Sequence, residues 1–306
     1  MDLLRESSLG FYRAWHAALG AKHGLFEALR QPSTPEALAQ ARGLDPAAVA
    51  TWCRGAEALG LLSRRGARYR LRAEHAKTLG DPAHEDYLGH HFRYATTKSL
   101  HFGALDDLLA GRPASPDLSD VYALATRWDH VAFFERFLPR EKALAARLRE
   151  GADVLDLGAG QGGWSRMLLA RFPRSRVVAS DLDLRGLAGL RALRPDELAD
   201  EAFDLAFLGE VLAAAPEPAK VLATAHRALR PGGRLVALEG LRPPEGKAPR
   251  GWGEKLVLAM ALDFGLDGSR FLTTEEALAA AREAGFAKPR LKDLGGSLFA
   301  LSVTKR

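Results

Sequence analysis

The sequence predicts an α/β fold preceded by a mainly helical N-terminal region, and three observations predict it. Up to about residue 150, apolar residues recur mostly at helical spacing. From Asp153 onward, short apolar runs alternate with helical stretches. The last segment reads as two strands joined by glycines. The 306 residues leave room for two domains of ordinary size, here placed at 1–120 and 121–306.

Residues 7–30 read as a helix pair with Phe11, Trp15, Leu19, Leu25, Phe26 and Leu29 at helical spacing. Ser33-Thr34-Pro35-Glu36 opens the next helix with a capping residue and a proline at its first position, and Gly43 ends it. Asp45-Pro46 opens another, which carries Val49, Trp52, Ala56 and Leu59 on one stripe. Two short strands about Gly66 follow, at 61–65 and 68–72. In the second, Tyr69 and Leu71 alternate with Arg68, Arg70 and Arg72. Helices followed by a small hairpin make a winged helix. The stretch 82–150 is largely helical, with a loop at 111–116, a helix from about Pro139 to Arg149, and the domain boundary near 115–125.

After Asp153 the period changes. Val154 to Leu157 is a short strand that runs into a glycine-rich turn, with a helix from Trp164 to Phe172 behind it. Arg176 to Ser180 is a second strand, ending in Asp181. Phe203 to Leu208 is another, followed by a helix from about Glu217 to Leu229. Pro231-Gly232-Gly233 turns the chain into a strand from Leu235 to Glu239. Strands alternating with helices imply a mainly parallel sheet covered on both faces. Arg290 to Asp293 and Leu298 to Thr304, joined near Gly295-Gly296, read as an antiparallel hairpin.

Composition excludes several classes. With 47% apolar and 26% charged residues the profile is globular, and no apolar run is long enough to span a bilayer. The first residues lack a basic region followed by an apolar one, so no export signal is expected. A single cysteine, Cys53, fits a reducing cytoplasm and is too little for a structural zinc site, so no metal is expected. Asparagine and isoleucine are absent; scarce amides suit a hot habitat. The net charge of +5 raises nucleic acid as a partner, but the cations are mostly dispersed among glutamates.

The informative segment is Asp156-Leu157-Gly158-Ala159-Gly160-Gln161-Gly162-Gly163. Its glycines let the backbone turn sharply and approach a ligand closely, at the carboxyl end of the first strand, where open α/β sheets bind ligands. Asp181, ending the next strand, suits ribose hydroxyls. A strand–glycines–helix–strand–acid unit fits a dinucleotide or an adenosyl cofactor. The carboxylate of Asp156, two residues before the first glycine, suits a cationic ligand such as a methionine amino group and suits a pyrophosphate poorly.

From about 150 to 305 the chain resembles class I S-adenosylmethionine-dependent methyltransferases. The glycine turn with its preceding acid, Asp181, the strand from Phe203, Leu229-Arg230-Pro231-Gly232-Gly233-Arg234-Leu235 and the reversed last strand occur in that family's order. With the N-terminal Leu25-Phe26-Glu27-Ala28-Leu29 and Leu59-Gly60-Leu61-Leu62, and the later Phe271 to Glu276 and Ala284-Gly285-Phe286, nearly the whole chain is similar to one branch. That branch is the small-molecule O-methyltransferases of caffeic acid, hydroxyindole and anthracycline type. The resemblance implies a Rossmann-like seven-stranded sheet with an antiparallel last strand, a winged-helix domain that pairs two subunits, and S-adenosyl-L-methionine as cofactor. It places Gly158, Ala159, Gly160 and Gly162 beside the methionine part, Asp156 near its amino group, Asp181 on the ribose and Leu182 against the adenine. Leu208 and Gly209 would line the same cleft. The implied substrate is a small molecule, a hydroxylated aromatic or polyketide-like compound.

The chain departs from that pattern where plant-type members carry a catalytic histidine: Ala213 stands there, and a methyl group accepts no proton. The Gly-Asp-Phe segment before the strand from Phe203 is also missing, and 190–202 is short and charged. Glu239 and Glu276 match acids that brace the histidine in relatives, and remain catalytic candidates. Transfer then runs by alignment of an already acidic hydroxyl, or through another base, with His90, His91, His101 and above all His130 as candidates. A third possibility is a protein that binds the cofactor without transfer. Met260, Asp263 and Phe264, on a helix from Lys255 to Phe264, are candidates to face substrate. Two readings from other classes stand beside the enzyme. A DNA-binding regulator is favoured by Arg64, Arg65, Arg68, Arg70 and Arg72 in the wing, but Ala47 to Leu59 offers Arg54 as its only base-reading cation. A nicotinamide-dependent oxidoreductase is favoured by the glycine turn and opposed by Asp156.

Overall fold

In the computed structural model, residues 3–112, 122, 123 and 125–306 are described. They fall into two compact units. The first holds the residues up to His101 and the short stretch that ends at Trp128. The second holds the stretch from Phe102 and everything from Asp129 to Arg306. The expected boundary near 120, and most of the loop at 111–116, lie outside the described residues.

The first unit starts with a helix over Leu3–Lys22, earlier and longer than the sequence spacing indicates, and a single turn over Leu25–Ala28. Leu25, Phe26 and Leu29 are buried, but Phe11 and Leu19, expected on the same apolar face, are exposed. Helices over Pro35–Arg42 and Pro46–Ala58 follow, capped as their sequences dictate. Thr34 Oγ1 accepts the Ala37 N–H at 3.3 Å, and Asp45 Oδ1 accepts the Ala48 N–H at 2.7 Å. Strands β1 (Leu62–Arg65) and β2 (Arg68–Leu71) pair antiparallel, with Tyr69 and Leu71 buried against Phe26, Trp52 and Cys53. A helix over Gly89–Ser99 carries His90 and His91. Burial holds the His91 ring below its ordinary range, and burial with the charges of Arg127 and Arg93 pushes His90 down to about 4, so both are neutral.

The second unit is built on strands β3 (Asp153–Leu157), β4 (Arg176–Ser180), β5 (Arg191–Leu193), β6 (Phe203–Gly209), β7 (Leu229–Arg242), β8 (Leu272–Thr273), β9 (Arg290–Gly295) and β10 (Leu298–Thr304). Seven run in the order β5-β4-β3-β6-β7-β10-β9, and β8 pairs with the end of β7. β3 to β7 are parallel, and β10 runs antiparallel to both neighbours. The first strand stands mid-sheet, so its carboxyl end opens into the crevice where the strand order reverses. The sequence reading lacked β5 and β8, which are three and two residues long and too short to show a period.

The expected turn at Pro231-Gly232-Gly233 lies inside β7. Phe203 pairs with Leu229 and Leu205 with Arg234, so residues 230–233 bulge from the ladder. The bulge delivers Arg230 to the amino ends of β3 and β6. There it donates to Asp153 at 2.8 Å and Asp204 at 2.9 Å, while Arg176 and Arg147 take their other oxygens at 2.7 and 3.1 Å. Asp204 also accepts the Asp153 N–H at 2.7 Å. The Arg176 and Arg230 guanidiniums hold the Asp153 carboxyl below its usual range; for Asp204, burial is outweighed by the Asp153 N–H and its arginines.

One sheet face packs Leu155, Leu157, Ala206 and Leu208 against helices Pro218–Ala228 and Thr274–Glu283. Around Phe207 the packing is aromatic. The Trp164 ring stacks on it at 3.9 Å and 6°, and Phe133 meets both edge-on. Phe133 belongs to a π-helical turn, Phe133–Phe137, that continues the helix Arg127–Ala132.

Replacing Asp204 by Ala should cost about 1–3 kcal/mol, because the Asp153 N–H and two guanidiniums lose their acceptor. Both carboxyls have depressed folded-state values. Their contribution is therefore complete above the ordinary carboxylate range and is lost as pH falls through the depressed values. Denaturant titrations of both proteins at several pH values check this; equal stabilities near neutrality would refute it.

Candidate functional site

The site begins where β3 stops. Gly158 and Ala159 donate their N–H groups to the Ser180 carbonyl at 2.8 and 3.0 Å, which folds the turn over the end of β4. Gly158, Gly160 and Gly162 all have positive φ (77°, 53° and 71°), the region that favours glycine. A Cβ on Gly158 would stand 2.5 Å from Val211 Cγ2, and one on Gly160 would meet nothing within 4 Å. The first glycine thus lets the turn approach the exit of β6, and the second leaves its backbone open. Gly162 then starts the helix Gly163–Arg171.

Asp156 lies beneath this turn, paired in register with Ala179 and Phe207. It is buried and accepts the Ser165 hydroxyl at 2.6 Å. Burial pushes its carboxyl up to about 7, against the Ser165 hydrogen bonds and with help from the Asp181 charge. Asp181 accepts the Gly160 N–H at 2.7 Å and the Asp183 N–H at 3.2 Å. Leu182 beside it is 76% exposed, an apolar side chain left in the open at the strand end. The Leu208 side chain belongs to the core, so only its backbone reaches the strand end.

At the end of β6 the structure gathers several residues. The His130 ring lies between the helix start and the strand end: Cβ atoms on Gly163 and Gly209 would stand 3.3 Å and 3.6 Å from it. Glu239, which pairs with Phe299 on β10, sends both oxygens into the next turn. It accepts the N–H groups of Val211, Leu212 and Ala213 at 3.0, 2.9 and 3.3 Å. Ala213 is buried, with its carbonyl accepting the Arg270 N–H. Glu276 stands at the start of the helix Thr274–Glu283. It closes a capping box with Thr273 at 2.7 and 3.1 Å and pairs with Arg270 at 2.9 Å. Met260 is half-buried, Asp263 and Phe264 are buried, and Phe264 tilts against Phe271 at 4.3 Å.

Two acids not singled out in the sequence stand here. Asp129, next to His130, is buried; burial and then the charges of Glu210 and Glu239 push its carboxyl well above the usual range. Glu210 follows Gly209 at φ 56°, a rare value for a residue with a side chain. A Gly-Glu step ending an apolar strand was the one signal for Glu210. Asp129 sat in a helical stretch like any other acid.

A methyltransferase domain family matches residues 128–288, more than half of the chain. The chain belongs to that family. Among relatives of the methyltransferase, the malonyl-(acyl-carrier protein) O-methyltransferase of Methylococcus capsulatus is 34% identical over 131 residues, 37% of this chain and 47% of that protein. The demethylmenaquinone methyltransferase of Thermus thermophilus is 36% identical over 109 residues, 30% of this chain and 49% of that protein. The chain spans about half the length of these curated relatives. Its fold is shared over almost all its length with human N-acetylserotonin methyltransferase, solved in complex with SAM. The TM-score is 0.68 at 17% identity, covering 99% of this chain and 96% of the other. Membership of this family over residues 128–288 turns the glycine turn away from the nicotinamide reading. Among the described residues, no helix is long and apolar enough to cross a membrane.

Gly158→Ala should destabilise the methyltransferase by about 1–3 kcal/mol through its φ and its contact with Val211. Adding Val211→Ala should recover the steric part and leave the backbone part. Thermal unfolding of the three variants checks this, and a fully stable Gly158→Ala protein would contradict it.

Proposed function

We propose that the chain transfers the methyl group of S-adenosyl-L-methionine to a hydroxyl of a small aromatic or polyketide-like molecule. The observation that carries the reading is the buried Asp156 carboxyl under an open glycine turn, an acid placed where a cation would complete it. The residues fit such a ligand. Gly158, Ala159, Gly160 and Gly162 form its backbone bed, Asp156 takes the ammonium, Asp181 the ribose hydroxyls and Leu182 the adenine face, with Leu208 and Gly209 at the inner edge. Bound there, the cofactor supplies an electrophilic methyl group on a positively charged sulfur. O-methyltransferases are among the relatives, which agrees with oxygen as acceptor.

The chain's own residues orient the partners. Glu239 holds the turn 211–213 through three backbone N–H groups and is a positioning residue. His130 lines the cleft beside Gly163 and Gly209. We assign Glu276 to the helix cap rather than to the chemistry. Alignment at this strand end provides much of the rate. We read the first unit as a winged-helix domain that pairs two copies. Leu3, Leu4, Phe11, Tyr12 and Leu19 are exposed along one helix, and such a patch calls for cover. The buried Cys53 agrees with a reducing cytoplasm.

Two outcomes test this reading. Near pH 6.5 most of the Asp156 carboxyl is protonated before binding, so uptake of S-adenosylhomocysteine should release up to about three-quarters of a proton as the ammonium draws the carboxyl into its charged form. Calorimetry in buffers of different ionisation heat measures this, and Asp156→Asn should bind about 30-fold or more weakly. Tight binding by the variant, or none by the native protein, would sink the proposal. Sedimentation should return twice the 33.1 kDa of one chain, and Phe11→Glu should return one.

A further inference from the structure

Methylating a hydroxyl removes its proton, and Ala213 offers nothing to receive it. The candidate acceptors at the end of β6 are few. Glu239 has both oxygens committed to backbone N–H groups. Glu210 does not. Its Oε1 accepts the Gly240 N–H at 2.6 Å, and its side chain makes no other hydrogen bond among the described residues.

Its place is fixed from both sides. Gly209 before it lies beside the His130 ring, and Val211 after it touches the turn at Gly158. Its left-handed backbone is a strain of the kind that persists where surrounding structure imposes it. We propose that Glu210 is the proton acceptor of the methyl transfer and that the substrate is a hydroxyl of phenolic acidity. This rests on the function proposed above.

In the step, the hydroxyl proton passes to Glu210 Oε2 and the substrate oxygen forms a bond to the methyl carbon. The sulfur–methyl bond breaks, its electron pair returning to sulfur, which leaves as a neutral thioether. Glu210 then gives its proton to water.

The surroundings set the proton affinity such a base needs. Burial pushes the Glu210 carboxyl up to about 7, opposed by the Gly240 N–H. That places its charged form near neutral pH, where a general base works best. The ionisable groups that bear on it are Asp129 from the helix Arg127–Ala132 and Glu239 from β7, with His130 beside Gly209. Asp129 and Glu239 are both held above the ordinary range, Asp129 by burial and the Glu210 and Glu239 charges, Glu239 by burial and the Glu210 charge against three N–H donors.

The test is methyl transfer to phenols of graded acidity at saturating S-adenosylmethionine across a pH series, with S-adenosylhomocysteine affinity measured in parallel. Native kcat should rise with pH through about 7 to a plateau. Glu210→Gln should lose that limb and fall about 10²–10³-fold on weakly acidic phenols, yet approach the native rate on a nitrophenol that is already ionised. Its affinity for S-adenosylhomocysteine should stay within about twofold. Asp129→Asn, which removes that carboxyl from the titration, should keep the limb.

A Glu210→Gln enzyme that retains the limb overturns the proposal, as does one equally slow on ionised phenols. Loss confined to cofactor affinity assigns Glu210 to the donor and overturns it too. A limb lost with Asp129→Asn instead moves the base to Asp129. Native protein that binds no S-adenosylhomocysteine or methylates no phenol overturns the broader function along with this one.

Discussion

The site depends on one close approach: the backbone at Gly158 meets Val211 with no side chain between. This contact sets the turn after β3 against the exit of β6. It brings a buried acid, an open stretch of backbone and the Gly209–Glu210 step to one strand end. Any Cβ at position 158 would push them apart. Glu239 keeps the far wall of that contact in place, since three consecutive N–H groups of the turn at 211–213 converge on its carboxylate. A chain segment that would otherwise be a loose loop thereby becomes a rigid edge.

The two ends of the sheet carry opposite electrostatics. At the amino ends of β3 and β6, Asp153 and Asp204 are ionised and tied to arginines. At the carboxyl ends, Asp156 and Glu210 have few cationic partners, and burial raises their proton affinity. The first arrangement spends carboxylates on holding strands together. The second leaves carboxyls that hold their protons up to about neutral pH, and such shifts cluster where a protein has work to do.

Much of this was legible in the sequence for physical reasons. The alternation of strands and helices, the glycine turn and the terminal hairpin are local patterns, and each survives without knowledge of the rest of the chain. What escaped was either too short or non-local. β5 and β8 show no period in two or three residues. The Pro231-Gly232-Gly233 turn became a bulge because Arg230 needed to reach Asp153 and Asp204, partners 77 and 26 positions away. Phe11 matched a buried stripe in spacing yet is 56% exposed, since periodicity marks a face and not what covers it. The capping box that Glu276 forms with Thr273 was written in the sequence as Thr-x-x-Glu but not read there. Glu210 and Asp129 gained their importance only from neighbours brought in by folding.

The π-helical turn at Phe133–Phe137 has a bearing on how this arrangement tolerates change. A wider turn takes in one residue more than an ordinary one, so the segments before and after it are out of phase by about 100°. The offset falls after His130 and Phe133, which both meet the Phe207 ring, and it resets the face of the chain beyond them, where Phe137 meets Phe133. Removing the extra residue would tighten the coil without breaking it, and would rotate Phe137 off its seat while leaving His130 where it is.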